Sequence, residues 1–241
     1  MNPARSLARA KGASPKDLGG ATSYGMKFDI ITIFPNIFSG FLSESLLSKA
    51  IKKKIITIKT HYLRDWTEDK HQTVDGKPYG GGPGLVFKIE PIYKAVSSIK
   101  YQVLRRNKKL KSKVILFSPR GKKFTNELAK KWSKLDQLIF ICGRYEGVDE
   151  RVAKYVADEV ISIGDYVLNG GEVAAMAVIE SVSRQLPNFM HDADSATKDD
   201  HASYTKPEIF SPKKGTNWKV PKVLLSGNHK KIDEWRKKNN H

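Results

Sequence analysis

Glycines and hydrogen-bonding side chains recur together in three loops of this sequence, each at or after the end of an apolar run. The loops are residues 117–121, 143–147 and 164–171. Glycine lets backbone N–H and C=O groups approach a ligand closely, and open α/β sheets bind ligands outside the carboxyl ends of their strands. Three such loops converging on one edge predict a pocket for a small, partly polar ligand.

A fourth segment, residues 80–84, reads Gly-Gly-Gly-Pro-Gly, which indicates either a loop that closely approaches a ligand or a mobile surface loop without one. It fits neither common phosphate-binding fingerprint. A P-loop would need glycine where His71 stands, and a dinucleotide-binding loop would need glycine in place of Leu85. His71 has no metal-spaced partner and no nucleophile motif nearby, so we interpret it as a loop hydrogen-bonding residue.

The elements that must position these loops alternate along the chain. Apolar runs predict strands at Phe28–Phe34, Ile55–Tyr62, Val114–Ser118, Leu138–Cys142 and Asp158–Ile163. Helical periodicity predicts helices at Ile37–Lys53, Pro91–Lys108, Thr125–Trp132, Val148–Val156 and Glu172–Arg184. This alternation predicts an α/β fold, a mainly parallel sheet with helices on both faces. The last helix is apolar on nearly every face, which places it in a core or against another subunit.

The composition bounds the class of protein. A chain of 241 residues with 39% hydrophobic residues allows one large domain, alone or with a small one. No apolar run approaches the length of a membrane helix, so we expect no membrane association. The single cysteine, Cys142, lies in a predicted strand and is expected to be buried. A reducing cytoplasm is the expected location.

The basic charge has two interpretations. A formal net charge of +18 would attract phosphate backbones and drive salt-dependent association. Alternatively, the lysines are spread over solvated faces without a partner. The basic run at residues 105–113, RRNKKLKSK, has the same two interpretations. It is either a solvated loop or an edge that faces phosphates.

The two ends of the chain and one internal segment break the alternation. Residues 1–25 are rich in small and basic residues, and we expect an extension upstream of a true start at Met26, with a transit-like peptide or a disordered basic arm as alternatives. Residues 191–206 carry several acids, including Asp199, which as linker residues would cap helices or face water. Near the end, a helix is predicted from about Asn228, with that residue as its N-cap.

Taken together, these segments resemble the bacterial tRNA (guanine-N1)-methyltransferase family. The matching motifs include ITIFP, KPYGGGPG, CGRYEGVDERV, SIGDYVLNGGE, SVSR and VLLSGNH, and they span Met26 to about Arg236. The resemblance implies a methyltransferase domain at residues 26–190 with a deep trefoil knot of the SPOUT type. It also implies a linker at 191–206, a small helical tRNA-binding domain at 207–241, shorter than usual, and a homodimer with its active site at the subunit interface.

The resemblance further implies S-adenosyl-L-methionine as cofactor and tRNA as substrate, methylated at N1 of the guanosine that follows the anticodon (position 37). The cofactor-binding residues that it implies are Phe117, Ser118, Pro119, Gly121, Gly143, Arg144, Tyr145, Glu146, Ile163, Gly164, Asp165, Tyr166, Val167, Leu168, Gly170 and Gly171. The alternatives are an RNA-binding module without catalysis and a methyltransferase that acts on another RNA.

The same resemblance assigns the remaining roles. The general base falls on Asp199 and the guanine-binding arginine on Arg184, while Gly81 and Gly82 would help to hold the guanine. Glu146 is a candidate for a role with Mg²⁺. These residue types suit the chemistry, because guanine N1 carries a proton that a carboxylate must remove before methylation.

Overall fold

The structure, a computed structural model, describes residues 25–106, 109–190 and 201–239. The chain divides into two compact units between residues 191 and 192. The strands of the first unit are β1 (Met26–Thr32), β2 (Ile56–Tyr62), β3 (Asp75–Gly76), β4 (Val86–Phe87), β5 (Ser112–Lys123), β6 (Gln137–Ile141) and β7 (Glu159–Ser162). Its helices are α1 (Ser39–Ser43), α2 (Ser45–Lys52), α3 (Ile89–Arg106), α4 (Asn126–Trp132), α5 (Glu150–Tyr155) and α6 (Gly171–Ser183).

A five-stranded parallel sheet in the order β2-β1-β6-β5-β7 forms the centre of this unit. Alternate residues of its strands enter two different cores. In β6, Phe140 packs with α2, α4 and α6, whereas Ile139 packs with α3 and α5. Strands buried on both faces are typical of parallel sheets covered by helices on each side. The predicted α/β architecture is therefore confirmed, and so is the burial of Cys142, which is 1% exposed.

One predicted helix, Ile37–Lys53, is wrong as a single element. The segment forms a 3-10 turn at Pro35–Phe38, then α1 and α2, with Glu44 in an extended conformation between them. Ser45 has a φ of 55°, in the left-handed region. Serine and glycine favour such breaks, and the Ser43 hydroxyl donates to the Gly40 carbonyl. The break lets both halves of the segment bury side chains in one core.

A buried polar cluster joins three strands of the sheet. Asp29 Oδ1 lies 2.7 Å from His61 Nε2, and Asp29 Oδ2 accepts a hydrogen bond of 2.5 Å from Gln137 Nε2. Lys27 Nζ lies 2.9 Å from the same Oδ2. Burial raises the pKa of Asp29, but hydrogen bonds from His61, Gln137 and Lys27 outweigh burial and hold that pKa below its usual value.

We expect Asp29 to contribute stability at neutral pH that is lost in acid. Because its folded pKa lies below the unfolded value of about 3.9, the contribution is complete above that value and fades as the pH falls through the folded pKa. The substitution Asp29→Asn should therefore lower the free energy of unfolding most above about pH 4 and much less in stronger acid. Urea unfolding across this pH range measures the difference, and a loss of stability independent of pH would contradict the expectation.

The second unit combines a hairpin with two helices. Its strands are β8 (Ile209–Lys213) and β9 (Thr216–Lys219), and its helices are α7 (Lys222–Leu225) and α8 (His229–Lys238). The predicted terminal helix is confirmed, since the side chain of the N-cap Asn228 accepts a hydrogen bond of 3.2 Å from Lys231 N. The hairpin was not predicted, although Gly215, with a φ of 83°, marks its turn. In the part of the chain that the structure describes, the helices are all too short or too polar to span a bilayer.

Candidate active site

The three glycine-bearing loops meet at the carboxyl edge of the sheet around a cavity of about 580 Å³. This volume lies in the range of roughly 300 to 1,000 Å³ that is usual for small-molecule pockets. Most residues predicted to bind a cofactor line it, namely Phe117, Ser118, Pro119, Gly143, Arg144, Tyr145, Glu146, Ile163, Gly164, Tyr166, Val167, Leu168, Gly170 and Gly171. The prediction that these loops converge on one pocket is therefore confirmed.

The loop after β6 is held from its outer side by the chain around β4. Glu146 N donates to Leu85 O at 3.0 Å, and Phe87 N donates to Gly147 O at the same distance. Tyr145 has a φ of 60°, unusual for a residue with a side chain, and its ring packs edge-on against Phe87 with centroids 5.5 Å apart. These contacts fix a strained backbone where it borders the pocket.

A buried carboxylate at the start of α6 positions Arg144. Glu172 is 0% exposed and accepts hydrogen bonds from Thr32 Oγ1 at 2.7 Å and from Arg144 Nε at 2.9 Å. The Arg144 guanidinium also lies 4.7 Å from the centre of the Phe34 ring. Glu172 thus links β1, the loop after β6 and α6, and it holds the arginine at the pocket wall. The N-terminus of a helix favours a negative charge at this place.

The third loop leads directly into α6, and Gly171 lets that helix start against the loop after β6. Gly171 N donates to Gly143 O at 3.0 Å. A Cβ atom at Gly171 would lie 2.8 Å from Cys142 Cα, a closer approach than side chains tolerate. The two loops are therefore locked together at the pocket.

The loop inside β5 interrupts the pairing with β7. Both Phe117 and Lys122 pair with Ile161, so residues 118–121 leave the sheet and return to the same point. Gly121 was predicted to bind a cofactor, but it does not line the cavity. A Cβ atom there would lie 2.5 Å from Ile161 N, so its lack of a side chain serves the packing of the returning chain on β7.

We expect Gly121→Ala to destabilise the protein by about 1 to 3 kcal/mol, because overpacking against backbone atoms cannot be relieved by a side-chain rotation. Gly40→Ala provides the matched control. No atom lies within 4 Å of an added Cβ there, and Gly40 is in α1. The control should gain up to about 1 kcal/mol. Denaturant unfolding of both variants measures the free energies, and equal effects would refute the packing role of Gly121.

Comparison with known proteins shows the family to which the chain belongs. Residues 26–241 match the family model described as "tRNA (Guanine-1)-methyltransferase TrmD". The chain belongs to this family. A tRNA (guanine-N(1)-)-methyltransferase of Carboxydothermus hydrogenoformans is 49% identical over 220 residues, which cover 88% of this chain and 82% of the relative. Proteins of the same name from Dictyoglomus turgidum and Geobacter sp. are 48% and 45% identical to this chain, and each match covers 88% of this chain and 84% of the relative.

The glycine-rich loop of this methyltransferase family lies beside Glu146. Glu146 lines the pocket, and a Cβ atom on Gly84 would lie 2.4 Å from Glu146 Cγ. Gly81 and Gly82 do not line the cavity, so their predicted role toward guanine stays a prediction. Within the described ranges, no group of three His, Cys, Asp or Glu side chains is placed to hold a metal ion.

Of the two predicted catalytic residues of the methyltransferase, the structure describes Arg184 alone. Arg184 is the C-cap of α6, whose first residue, Gly171, lines the pocket. A helix rises about 1.5 Å per residue, so about 20 Å separates Arg184 from that end. Arg184 does not line the cavity formed by its own chain. Asp199 lies outside the described residues, and its role stays a prediction.

The pocket of the methyltransferase includes polar residues that the sequence did not single out. Arg120 Nη2 donates to Glu150 Oε2 at 2.7 Å, which ties the loop inside β5 to the start of α5. Asn169 also lines the cavity. By contrast, Asp165, predicted to bind cofactor, does not line it, and its carboxylate pairs with Lys123 Nζ at 2.7 Å. Neither the Arg120–Glu150 pair nor the Lys123–Asp165 pair could be predicted from the sequence, because the partners are 30 and 42 positions apart.

Proposed function

We propose that the protein transfers a methyl group from S-adenosyl-L-methionine to N1 of the guanosine that follows the anticodon in tRNA. The observation that carries this proposal is the pocket built from three strand-end loops, in a chain that belongs to the tRNA (guanine-1)-methyltransferase family. A module that only binds RNA has no need of such a pocket. The tRNA substrate assigns the activity to the cytoplasm.

The pocket residues suit this cofactor. Leu116, Phe117 and Ile161 give the cavity an apolar floor, while Ser118, Glu146 and Asn169 add polar groups to its lining. A ligand with a flat base, a sugar and an amino-acid tail needs both kinds of surface. When bound, S-adenosyl-L-methionine supplies an electrophilic methyl group on its sulfonium, so no nucleophilic side chain is required.

The chain's own residues supply the remaining chemistry. Guanine N1 is protonated near neutral pH, and in our proposal the carboxylate of Asp199 removes that proton. Negative charge then develops on guanine O6. The guanidinium of Arg184 would donate charge-assisted hydrogen bonds to this oxygen, and such bonds stabilise the transition state more than the ground state.

A homodimer with shared active sites is part of the proposal. Arg184 ends the helix whose start lines the pocket, and it does not line the pocket of its own chain. A two-fold dimer would bring it to the partner's pocket. The outer side of α6 supports this arrangement, since Val173 is 51% exposed and Ala177 is also exposed. Phe117 and Lys122 lie on either side of the loop inside β5, and both pair with Ile161. This return of the chain to one point of β7 supports a knotted chain at the pocket.

Methylation of tRNA transcripts tests the proposed reaction. Transcripts with guanosine at the position after the anticodon should accept a methyl group from S-adenosyl-L-methionine, and matched transcripts with adenosine there should not. Calorimetry should show binding of S-adenosyl-L-methionine but not of ATP. Cofactor binding without transfer to either transcript would assign the enzyme to another RNA, and absence of cofactor binding would overturn the proposal.

We expect two inactive variants to restore activity when they are co-expressed. In a mixed dimer of Gly143→Trp with Asp199→Ala, one site carries both defects and the other is intact. Random pairing makes about half of the dimers mixed, so about a quarter of the sites should be active, as two-fold symmetry requires. Differentially tagged subunits allow mixed dimers to be purified and assayed. Mixed dimers that form but stay inactive would show that sites are not shared in this way.

A further inference from the structure

The two edges of the central sheet differ in charge. Residues 49–55, 105–113, 130–136 and 154–159 lie at the amino ends of β2, β5, β6 and β7. They carry twelve basic side chains that the structure describes, Lys49, Lys52, Lys53, Lys54, Arg105, Lys109, Lys111, Lys113, Lys130, Lys131, Lys134 and Lys154. Only Asp136, Asp158 and Glu159 are acidic there. At the carboxyl edge, residues 33–38, 63–88, 118–121, 142–149 and 163–170 together hold six basic and seven acidic residues. The excess positive charge of this unit therefore lies opposite the pocket.

We call the surface that these four segments form the amino edge, and strand register brings most of it to one level. Met26 pairs with Ile56, and Gln137 pairs with both Lys27 and Ser112, so the starts of four neighbouring strands are level. The connections that precede β2, β6 and β5 each bring exposed lysines to this level. Strands lie about 4.8 Å apart, so the amino edge is about 14 Å wide across three spacings.

Three lysines of the amino edge are available to a partner. Lys53, Lys111 and Lys134, one from each connection, are exposed and form no ion pair with any described residue. Helix C-termini favour nearby lysines, which accounts for Lys52 at the end of α2 but not for Lys111 at the start of β5. Unpaired like charges in a row repel one another, and a polyanion removes that repulsion.

Two exposed aromatic residues accompany the amino edge. Tyr101, near the end of α3, is 62% exposed and lies 5.9 Å from the Arg105 guanidinium. Tyr155, at the end of α5, is 69% exposed and lies 5.2 Å from Lys154 Nζ. Rings beside cations are typical of surfaces that bind nucleic acid, because bases stack on the rings while the cations contact phosphates.

We infer that the amino edge is an RNA-binding surface that contacts the phosphate backbone. This inference rests on the proposed function, since the RNA is the tRNA whose guanine enters a pocket. An anionic membrane is the less suitable partner, because membrane-binding surfaces place large apolar side chains beside lysines. In the first unit, the exposed apolar side chains Phe34, Ile37 and Val167 follow strand ends at the carboxyl edge instead.

Two triple variants with the same loss of charge test the inference. The first combines Lys53→Gln, Lys111→Gln and Lys134→Gln at the amino edge. The control combines Lys70→Gln, Lys88→Gln and Lys94→Gln, which are exposed at or near the carboxyl edge. Fluorescence anisotropy measures the affinity of the full-length protein for a tRNA transcript at several salt concentrations. Thermal unfolding confirms that both variants fold, since such surface changes cost little stability.

We expect the amino-edge variant to bind tRNA more weakly and with a smaller salt dependence. Each lost phosphate contact lowers the slope of log K against log salt by about 0.7 to 0.9, so three contacts lower it by about 2. At saturating tRNA its kcat should match that of the wild type while its KM for tRNA rises, and the control should change the slope and KM less.

Three results would overturn the inference: an unchanged slope in the amino-edge variant, an equal change in both variants, or unchanged tRNA binding with a loss of binding to phosphatidylserine vesicles. Failure of the proposed function gives a different result. It would appear as absence of methyl transfer by the wild type, whereas the binding measurements would still decide the role of the amino edge.

Discussion

Asp199→Ala should lower the rate of methyl transfer by about 10² to 10⁴-fold, the usual contribution of a general base. The affinity for S-adenosyl-L-methionine should stay the same, because the pocket residues are all contributed by the first unit. Single-turnover methylation of tRNA measures the rate, and calorimetry measures cofactor binding. A loss of both would indicate misfolding instead of loss of a base.

The neighbouring acids provide matched controls for this prediction. Asp194 and Asp200 lie in the same acidic segment, so Asp194→Ala and Asp200→Ala remove an equal charge. We expect both to retain most of the activity. If Asp199→Ala were active and one of these variants were not, the base would be reassigned to that residue.

Glu172→Ala should destabilise the protein by about 3 to 5 kcal/mol, because removal of one partner from a buried ion pair leaves the other charge uncompensated. The unpaired groups would be the Arg144 guanidinium and the Thr32 hydroxyl. For a chain of this size, such a loss lowers the melting temperature by roughly 10 °C. Differential scanning calorimetry measures this change.

Two further variants separate stability from positioning of Arg144. Glu44→Ala removes an exposed glutamate whose side chain makes no cap hydrogen bond, and it should change stability by less than about 0.5 kcal/mol. Glu172→Gln loses the charge and keeps one acceptor oxygen, which can serve either Thr32 Oγ1 or Arg144 Nε but not both in the present geometry. It should recover part of the stability while cofactor affinity stays below that of the wild type. Full recovery of both by Glu172→Gln would show that the charge has no role in holding Arg144.

The strands and the pocket loops could be predicted because their signals are local. An apolar run such as Leu138–Cys142 followed by glycines identifies both a strand and its functional end. The amphipathic and turn signals near Asn228 likewise gave the correct helix start. Such patterns depend on neighbouring residues only, so one sequence is sufficient to interpret them.

The contacts that complete the pocket depend on residues distant in sequence. Thr32 and Glu172 are 140 positions apart, and no periodicity in either segment indicates that they meet. The double pairing of Ile161 also follows from how the whole sheet closes, so no local sign in the sequence indicated that Gly121 packs on β7, and its role in cofactor binding stays a prediction. The break at Glu44 could not be predicted for the same reason. It depends on the burial of side chains from both α1 and α2 in one core, which forms only in the folded chain.

The position of β1 in the sheet has a consequence for synthesis on the ribosome. β1 pairs on one side with β2, which ends at Tyr62, and on the other with β6, which starts at Gln137. At about 5 to 20 residues per second, the intervening chain takes about 4 to 15 s to emerge. Throughout that interval the apolar β1 has one unpaired edge, which invites intermolecular pairing. The nascent chain is therefore most exposed to aggregation before β6 is made, and chaperone binding should be greatest in that window.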